Sequence, residues 1–182
     1  PVALRHGHRR GGAGGAERRA FRFALLDRRI AVRLLSRDGA RVRPGQTLAV
    51  LTGHTPALLA GERTALNLLM HCSGISTLTR RHVDAVRGLK VTLLDTRKTL
   101  PGLRALEKYA VAVGGGTNHR TGLYDQVLIK NNHLACLGHG IAGAVALARE
   151  RLTPRAGVQV EARSLGEALA AAGAGADVIL LD

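Results

Sequence analysis

Residues 157–182, GVQVEARSLGEALAAAGAGADVILLD, decide the fold of this chain. Two short apolar runs, 158–163 and 177–182, predict buried strands. The Ala-rich stretch between them predicts a helix, with Ser164 as the residue that caps its first turn. A strand, a helix and a second strand in this order predict two parallel strands joined by a right-handed crossover.

The same alternation extends toward the N-terminus. It predicts strands at 90–95 and 127–130, a helix after Pro101 and another over about 140–151, and loops at 96–102, 114–126 and 131–140. Four parallel strands separated by helices indicate an α/β fold whose sheet begins to close into a barrel. Because a complete eight-fold barrel takes about 250 residues, we expect a partial open barrel that stops after its fourth strand.

The stretch before the barrel has a different pattern. Residues 30–53 alternate apolar and polar positions around Asp38-Gly39 and Pro44-Gly45, which predicts short strands joined by turns. From Pro56 to about residue 86 the apolar spacing becomes three and four, which predicts a long helix.

These patterns also predict how the chain is divided. Residues 1–20 are rich in Gly and Arg and show no period, so we interpret them as a loop or a disordered tail. We place a small β-rich domain at 1–57 and the partial barrel at 58–182.

The composition limits the class of protein. The chain carries 27 Lys and Arg against 13 Asp and Glu, a formal net charge of +14, which is typical of proteins that bind polyanions. Four aromatic residues are too few for a platform on which bases stack, and the excess of Arg, Ala and Gly resembles coding bias. Two cysteines without a Cys-x-x-Cys motif, no apolar run of about 20 residues and no signal peptide predict a cytoplasmic protein outside the membrane.

Polar side chains follow the predicted strands at their carboxyl ends, where parallel α/β folds place their sites. Arg and Lys at this edge suit carboxylate or phosphate groups, and two nearby carboxylates suit Mg²⁺ shared with a phosphate. The spacing therefore predicts a polyanionic, metal-assisted substrate. For any single residue the structural alternative stays open, since a Lys after a strand is often a solvated loop charge. The residues are Thr96, Arg97 and Lys98 after the first strand, His119 and Arg120 in the next loop, Lys130, Glu161 and Asp182.

Three segments then identify a resemblance. GERTALNLLMHCSGISTLTRR, LLDTRKTLPGLRALEKYAV and GGGTNHRTGLYDQVLIKNNH, together with residues 160–182, resemble the quinolinate phosphoribosyltransferase family, the decarboxylating nicotinate-nucleotide pyrophosphorylases. DTRKT and GGGTNHR, in this order and at this separation, are the most specific part. The resemblance covers about residues 25–182.

The resemblance implies a reaction, a fold and an assembly. Quinolinate and phosphoribosyl pyrophosphate give nicotinate mononucleotide, pyrophosphate and CO₂ with Mg²⁺, in the synthesis of NAD. The family's fold is an N-terminal α/β sandwich followed by an open α/β barrel, which implies part of the sandwich at 1–57 and part of the catalytic barrel at 58–182. Its members work as dimers, or as hexamers built of dimers. We expect neither a membrane nor a specific nucleic acid as a partner.

The resemblance also implies residue roles. Arg63, Thr96, Arg97, His119, Arg120 and Lys130 match positions that bind quinolinate, and Arg63 is expected to enter the partner subunit's site. Lys98, Glu161 and Asp182 match positions that serve phosphoribosyl pyrophosphate and its metal, with Glu161 and Asp182 as the metal ligands. Lys130, Glu161 and Asp182 are the expected catalytic residues.

A second hypothesis belongs to another class of protein. Asn131 stands where the family has an acidic residue, and the later barrel strands, whose loops hold the 5′-phosphate in the family, are not in these 182 residues. We therefore expect residues 1–182 alone to lack turnover. The alternative function is that of a truncated, inactive remnant that binds nucleic acid or other polyanions non-specifically through its charge.

Overall fold

The computed structural model describes residues 2–5, 11–12, 23, 25–151 and 157–182. These form two compact units, residues 1–119 and residues 120–182. The predicted boundary between residues 57 and 58 lies inside the first unit and stays a prediction. No helix among the described residues combines the length and the apolar character that crossing a membrane requires.

The first unit begins with two small antiparallel sheets. In one, β5 lies between β1 and β3; in the other, β2 pairs with β4. Gly39 and Gly45 adopt positive φ angles of 81° and 76°, so both turns predicted from Asp-Gly and Pro-Gly are confirmed. The strands are β1 (Val2–Arg5), β2 (Gly11–Gly12), β3 (Ala31–Leu34), β4 (Arg41–Val42) and β5 (Thr47–Thr52).

The prediction of a loop or disordered tail over residues 1–20 is wrong where the structure describes it. Residues 2–5 form β1 and residues 11–12 form β2, each paired with a strand from the Asp-Gly and Pro-Gly region. The local sequence shows no alternation of apolar and polar side chains. These two strands are therefore stabilised by hydrogen bonds to their neighbouring strands and not by a local sequence preference. The rest of that tail, 1, 6–10 and 13–20, lies outside the described residues.

The long helix predicted from Pro56 is confirmed as α1 (Thr55–Ala85), a single helix of 31 residues. Its buried positions include Leu58, Ala65 and Leu69, spaced so that they face one side. Leu58 and Ala65 pack with Leu51 of the sheet in one apolar cluster. A second helix, α2 (Arg104–Val113), packs on α1, where the Ser76 hydroxyl donates to the carbonyl of Ala110 at 2.8 Å.

The glycine run after α2 is explained by close packing. A Cβ on Gly114 would lie 2.6 Å from the carbonyl oxygen of Ser76 and 2.7 Å from Cβ of Thr79, both on α1. Gly115 also needs its φ of +93°. These glycines let the chain turn back against α1, which is a structural reason for the run.

The strand predicted at 90–95 is wrong. Only Leu94 makes a β-bridge, in parallel with Thr117. The amide of Thr117 donates to Leu93 O at 2.8 Å, and that of Asp95 donates to Thr117 O at 3.1 Å. The apolar pattern of this stretch is strand-like, but its partner is a single loop residue, so the contact joins two loops without extending a sheet.

The second unit contains the predicted parallel sheet, with the strand order β6, β7, β8. The strands predicted at 127–130, 158–163 and 177–182 and the helices predicted near 140–151 and after Ser164 are confirmed. Ser164 accepts a hydrogen bond from the amide of Glu167 at 3.2 Å, as expected of the cap. The elements are β6 (Val127–Ile129), α3 (Asn131–Leu137), α4 (Ile141–Arg151), β7 (Val158–Ala162), α5 (Leu165–Gly173) and β8 (Val178–Leu181).

The central strand β7 is buried along its whole length. Val158 and Val160 pack with Val145 of α4 and Ala171 of α5 in one apolar cluster. Because side chains alternate along a strand, Glu161 must point to the opposite face. The sheet therefore separates an apolar face, covered by helices, from a face that carries polar side chains.

The loop predicted at 131–140 is wrong over its first seven residues, which form α3. The ring nitrogen Nδ1 of His133 accepts a hydrogen bond from the amide of Lys130 at 3.0 Å and so closes the first turn. Gly138 ends the helix with a φ of +64°. A helix this short has little periodicity of its own, which is why the pattern missed it.

Substituting Gly114 by Ala is expected to destabilise the protein. The added methyl group would meet the backbone of α1, which cannot rotate away, and overpacking of this kind costs about 1–3 kcal/mol. Gly74→Ala is the matched control, since Gly74 lies on the exposed side of α1 with nothing within 4 Å of the added Cβ. There the substitution should stabilise by about 0.5–1 kcal/mol. Urea unfolding measures both, and equal effects would contradict the packing argument.

The stability of the second unit is expected to fall in acid through Asp177. Its Oδ2 accepts from Arg149 Nη2 at 2.8 Å and from the amide of Val158 at 2.6 Å, and these bonds lower the pKa of the Asp177 carboxyl below its usual 3.8. A carboxyl with a lowered folded pKa stabilises the fold above its unfolded pKa and loses that contribution as the pH falls through the folded value.

Asp177→Asn should therefore be less stable than the wild type at neutral pH, with a difference that shrinks below about pH 4. The free energy of unfolding is measured from pH 7 to pH 3. Glu150→Gln is the control, because Glu150 is exposed and has no hydrogen-bond or ion-pair partner among the described residues. A difference for Asp177→Asn that does not depend on pH would count against this role.

Candidate active site

A buried ion pair lies under the two loops that carry the DTRK and TNHR motifs. Nζ of Lys108, on α2, lies 2.5 Å from Oδ1 of Asp95, and the two side chains are 5% and 6% exposed. The same Nζ donates to the carbonyl of His119 at 2.8 Å. The amide of His119 in turn donates to Asp95 Oδ1 at 2.8 Å. One carboxylate and one ammonium group thus hold the backbone at His119.

The second carboxylate oxygen of Asp95 is also engaged. The Asn118 side chain, oriented with its amide nitrogen toward Asp95, donates to Oδ2 at 2.8 Å and to the carbonyl of Lys108 at 2.9 Å. Together with the bridge between Leu94 and Thr117, these bonds fix the two loops to each other and to α2.

The residues that follow Asp95 form a turn whose side chains remain available. Thr96 Oγ1 accepts from the amide of Lys98 at 3.0 Å, and the carbonyl of Arg97 accepts from Arg104 Nη2 at 3.4 Å. Within the part of the chain that the structure describes, the guanidinium of Arg97 and the ammonium of Lys98 make no hydrogen bond or ion pair. Arg97 is half-buried and Lys98 exposed, so both cations can meet an anion from solvent.

A second anchor holds the end of this loop. Glu107, one residue before Lys108, accepts from the amide of Leu100 through Oε2 at 3.3 Å. Its Oε1 lies 2.9 Å from Nε2 of His71 on α1. Helix α2 therefore supports the loop at both ends through two adjacent side chains.

Arg63 is placed on the exposed side of α1. Its guanidinium makes no hydrogen bond or ion pair with any residue that the structure describes. This is the placement expected of a residue that acts outside its own chain, and the role itself stays a prediction.

In the second unit, polar side chains meet at the carboxyl edge of the sheet. Lys130 Nζ lies 2.9 Å from Oε2 of Glu161, whose side chain is 10% exposed. Asn131 Nδ2 donates to the other oxygen, Oε1, at 3.4 Å. The remaining amide oxygen of Asn131 is buried and has no hydrogen-bond partner within the described part of the chain.

Strand register places Asp182 on the same face as Glu161. Glu161 pairs with Leu180 across the parallel strands β7 and β8, and paired residues point to one side of a sheet. Asp182 follows Leu180 by two residues, and its amide continues the ladder by donating to the carbonyl of Ala162 at 3.1 Å. The prediction that strand ends bring these carboxylates to one edge is thus confirmed for their placement.

Arg120 is the most enclosed of the predicted anion-binding residues, with 7% of its surface exposed. Its Nη1 donates to the carbonyl of Gln126 at 3.4 Å. The loop after it is closed by Asp125, which accepts from the amides of Thr121 at 2.6 Å and Gly122 at 3.0 Å.

Two residues of the site were missed from the sequence. Lys108 is a charged residue in an amphipathic helix, which normally indicates a solvated face, yet it is buried. Asn131 was noted only as a departure from the family, whereas the structure shows its buried amide oxygen without a partner. No local pattern marks Lys108, because its burial depends on tertiary contacts with Asp95 and the carbonyl of His119.

The described residues contain no group of three or more His, Cys, Asp and Glu side chains that could hold a metal ion by themselves. Glu161, Asn131 and Asp182 do supply oxygen atoms, which are the donors that Mg²⁺ prefers, and Mg²⁺ commonly takes only one or two protein carboxylates together with substrate phosphates.

Comparison with known proteins relates both parts of the chain to one family. Residues 15–73 match the sequence model described as "Quinolinate phosphoribosyl transferase, N-terminal domain", and residues 75–182 match its "C-terminal domain". The match begins ten residues before the resemblance found from the motifs.

Individual relatives agree. A probable nicotinate-nucleotide pyrophosphorylase [carboxylating] of Bacillus subtilis is 45% identical over 160 residues, 88% of this chain and 55% of that protein. The nicotinate-nucleotide pyrophosphorylase [carboxylating] of Mycobacterium leprae is 50% identical over 145 residues, 80% of this chain and 50% of that protein. The chain thus spans about half the length of the curated relatives it matches.

Solved structures show the same fold. NadC from Streptococcus pyogenes has a TM-score of 0.90 at 39% identity, covering 100% of this chain and 64% of that one. The nicotinate-nucleotide pyrophosphorylase from Francisella tularensis has a TM-score of 0.91 at 38% identity, covering 99% and 64%. With the DTRK and TNHR loops held on a buried ion pair and with both domain matches in order, this chain belongs to the quinolinate phosphoribosyltransferase family.

Proposed function

We propose that this chain carries the site of a quinolinate phosphoribosyltransferase. The reaction transfers the 5-phosphoribosyl group of phosphoribosyl pyrophosphate to the ring nitrogen of quinolinate and releases pyrophosphate and CO₂. The observation that supports it best is Arg97, whose half-buried guanidinium has no partner within the described residues and stands on a loop fixed by Asp95.

Quinolinate carries two carboxylates, so its site needs cations that are not already neutralised. Arg97 offers a planar guanidinium that can bind one carboxylate through two hydrogen bonds. We assign Thr96, His119, Arg120 and Lys130 to the same substrate, in keeping with their positions in the family motifs. Lys98, exposed and unpaired within the described residues, is assigned to a phosphate of the second substrate.

The second unit supplies the groups that would face the sugar and the metal. Glu161 and Asp182 would hold Mg²⁺ with the substrate's phosphates, and the unpartnered amide oxygen of Asn131 fits a nearby donor or a metal-bound water. When bound, Mg²⁺ would neutralise charge on the departing pyrophosphate. The assignment rests on oxygen donors gathered at one sheet edge.

The chemical steps follow from these charges. The ring nitrogen forms a bond to C1 of the ribose as the bond from C1 to the pyrophosphate oxygen breaks, and positive charge develops on the sugar. Glu161 or Asp182 would stabilise that charge. The bond from the ring to the 2-carboxylate then breaks, its electron pair passes to the ring carbon beside the positively charged nitrogen, and a proton takes the place of CO₂. Positioning and electrostatics would supply most of the rate.

The hypothesis of an enzyme is preferred to that of an inactive remnant that binds polyanions non-specifically, because the family match extends over both domains. The test supplies both substrates and Mg²⁺ to residues 1–182, and to any longer product of the same gene, and follows CO₂ release and nicotinate mononucleotide. Folded protein that neither turns over nor binds quinolinate would contradict the proposal. Competing duplex DNA provides the comparison, since it should abolish binding by a charge-driven remnant and leave quinolinate binding in place.

Arg97→Lys is expected to weaken quinolinate binding by about ten-fold or more. Lysine keeps the charge but cannot form the two parallel hydrogen bonds of a guanidinium with a carboxylate, and one such bond to a charged group contributes roughly 1.5–3 kcal/mol. Calorimetric titration with quinolinate measures the change. Arg33→Lys is the matched control, because Arg33 lies exposed on β3 away from the motif loops. An unchanged dissociation constant in Arg97→Lys would remove this residue from the site.

Mixed subunits test the assignment of Arg63 to the partner's site. We propose a homodimer in the cytoplasm in which Arg63 of one subunit completes the site of the other. Arg63→Ala and Lys130→Ala should each be inactive, and mixing equal amounts should restore about a quarter of the sites once subunits exchange at random, because half of the dimers are then mixed and each has one intact site. Mixed dimers confirmed by mass spectrometry that show no activity would refute the shared site.

A further inference from the structure

We propose that Lys108 is a positioning residue for the substrate loops, acting through its ion pair with Asp95. This inference rests on the proposed function. Nothing assigned from the motifs includes Lys108, yet its ammonium joins α2 to both loops at once, through Asp95 Oδ1 and the carbonyl of His119. The pair therefore controls where the neighbouring side chains can stand.

The geometry excludes direct contact of the pair with substrate. Lys108 and Asp95 have side chains that are only 5% and 6% exposed, so the pair lies beneath the surface that a ligand would reach. Every oxygen of the Asp95 carboxylate is already engaged by Lys108, His119 or Asn118. Because both oxygens are engaged and the side chain is buried, Asp95 is not placed to bind a ligand, and its effect must pass through the backbone.

The residues that depend on the pair stand directly beside it in sequence. Thr96, Arg97 and Lys98 follow Asp95, and His119 is itself one of the groups held. The carboxylate accepts from the His119 amide while the ammonium donates to the His119 carbonyl, so the peptide groups on both sides of His119 are held. A site that must place two cations against two carboxylates needs such restriction, because a loose supporting layer misplaces the binding groups.

Charge explains why a lysine is used at this position. A buried carboxylate needs a cation to compensate its charge, and the Asp95 carboxylate accepts three donors at once. A neutral side chain at 108 would leave the carboxylate uncompensated, and the loops would then open toward water to solvate it. The expected consequence is a change in the binding of quinolinate that exceeds any change in chemistry.

Lys108→Met, Asp95→Asn and the double variant test the inference. Lys108→Met keeps the length of the side chain and removes the ammonium. We expect both single variants to raise the KM and the dissociation constant for quinolinate at least ten-fold, with a smaller change in kcat, and to lower the melting temperature. The double variant contains no uncompensated charge and should recover most of the melting temperature while its quinolinate affinity stays low.

Ser76→Ala is the matched control for stability. It removes a buried hydrogen bond between α1 and α2, to Ala110, without touching either motif loop. It should lower the melting temperature and leave the KM for quinolinate within about two-fold of the wild type. If the double variant regains wild-type affinity, or if Ser76→Ala weakens affinity as much as Lys108→Met does, the pair is only structural and the inference is wrong.

Hydrogen exchange separates this inference from the proposed function. Peptides covering 93–99 and 116–120 should exchange faster in Lys108→Met than in Ser76→Ala, because the His119 amide loses its fixed acceptor. If the wild type neither binds quinolinate nor turns over, the proposed function fails, and the exchange data still decide whether Lys108 orders the loops. Equal exchange in both variants would overturn the positioning role even where a single variant is too unstable for kinetics.

Discussion

The pairing of Lys108 with Asp95 is the interaction on which the arrangement of the first unit's loops depends. The pair is buried, and both oxygens of the Asp95 carboxylate accept hydrogen bonds. The donors are Lys108 of α2, the amide of His119 and the side chain of Asn118. A buried pair of this kind contributes little net stability compared with apolar residues of the same size, but breaking it costs about 3–5 kcal/mol because a charge is left alone. The pair therefore restricts the conformation of the DTRK and TNHR loops more than it stabilises the fold.

In the second unit, the position of the polar side chains is fixed by the sheet and not by a buried ion pair. Its polar edge stands on β7, a strand buried on both faces, so the position of Glu161 follows from sheet register without any special contact. The helices α4 and α5 cover one face with apolar side chains, which leaves the other for Gln159 and Glu161. Sites at the carboxyl ends of parallel strands inherit their precision from the hydrogen-bond ladder.

How far the sequence alone could predict this fold depended on whether the deciding signal was local. Residues 158–182 were predicted correctly because each strand is an apolar run and Ser164 caps the helix between them. The strand expected at 90–95 failed because its partner is one residue, Thr117, which no local pattern reveals. Helix α3 was missed because its first turn depends on the ring of His133. For the site, the motifs indicated the loop cations and the strand-end carboxylates, while the burial of Lys108 is set by tertiary contacts.

The charge balance of the second unit depends on the pairing of Lys130 with Glu161. The two groups lie 2.9 Å apart, so an anion that bound Lys130 would compete with Glu161 for it. Binding would weaken the compensation of Glu161, leaving a carboxylate with only the Asn131 amide as a further donor among the described residues. A carboxylate whose charge is less compensated attracts a positively charged group more strongly. An interaction that strengthens as the reaction proceeds favours the transition state over the bound substrates. The pair with Lys130 would thus compensate the charge of Glu161 until an anion binds Lys130.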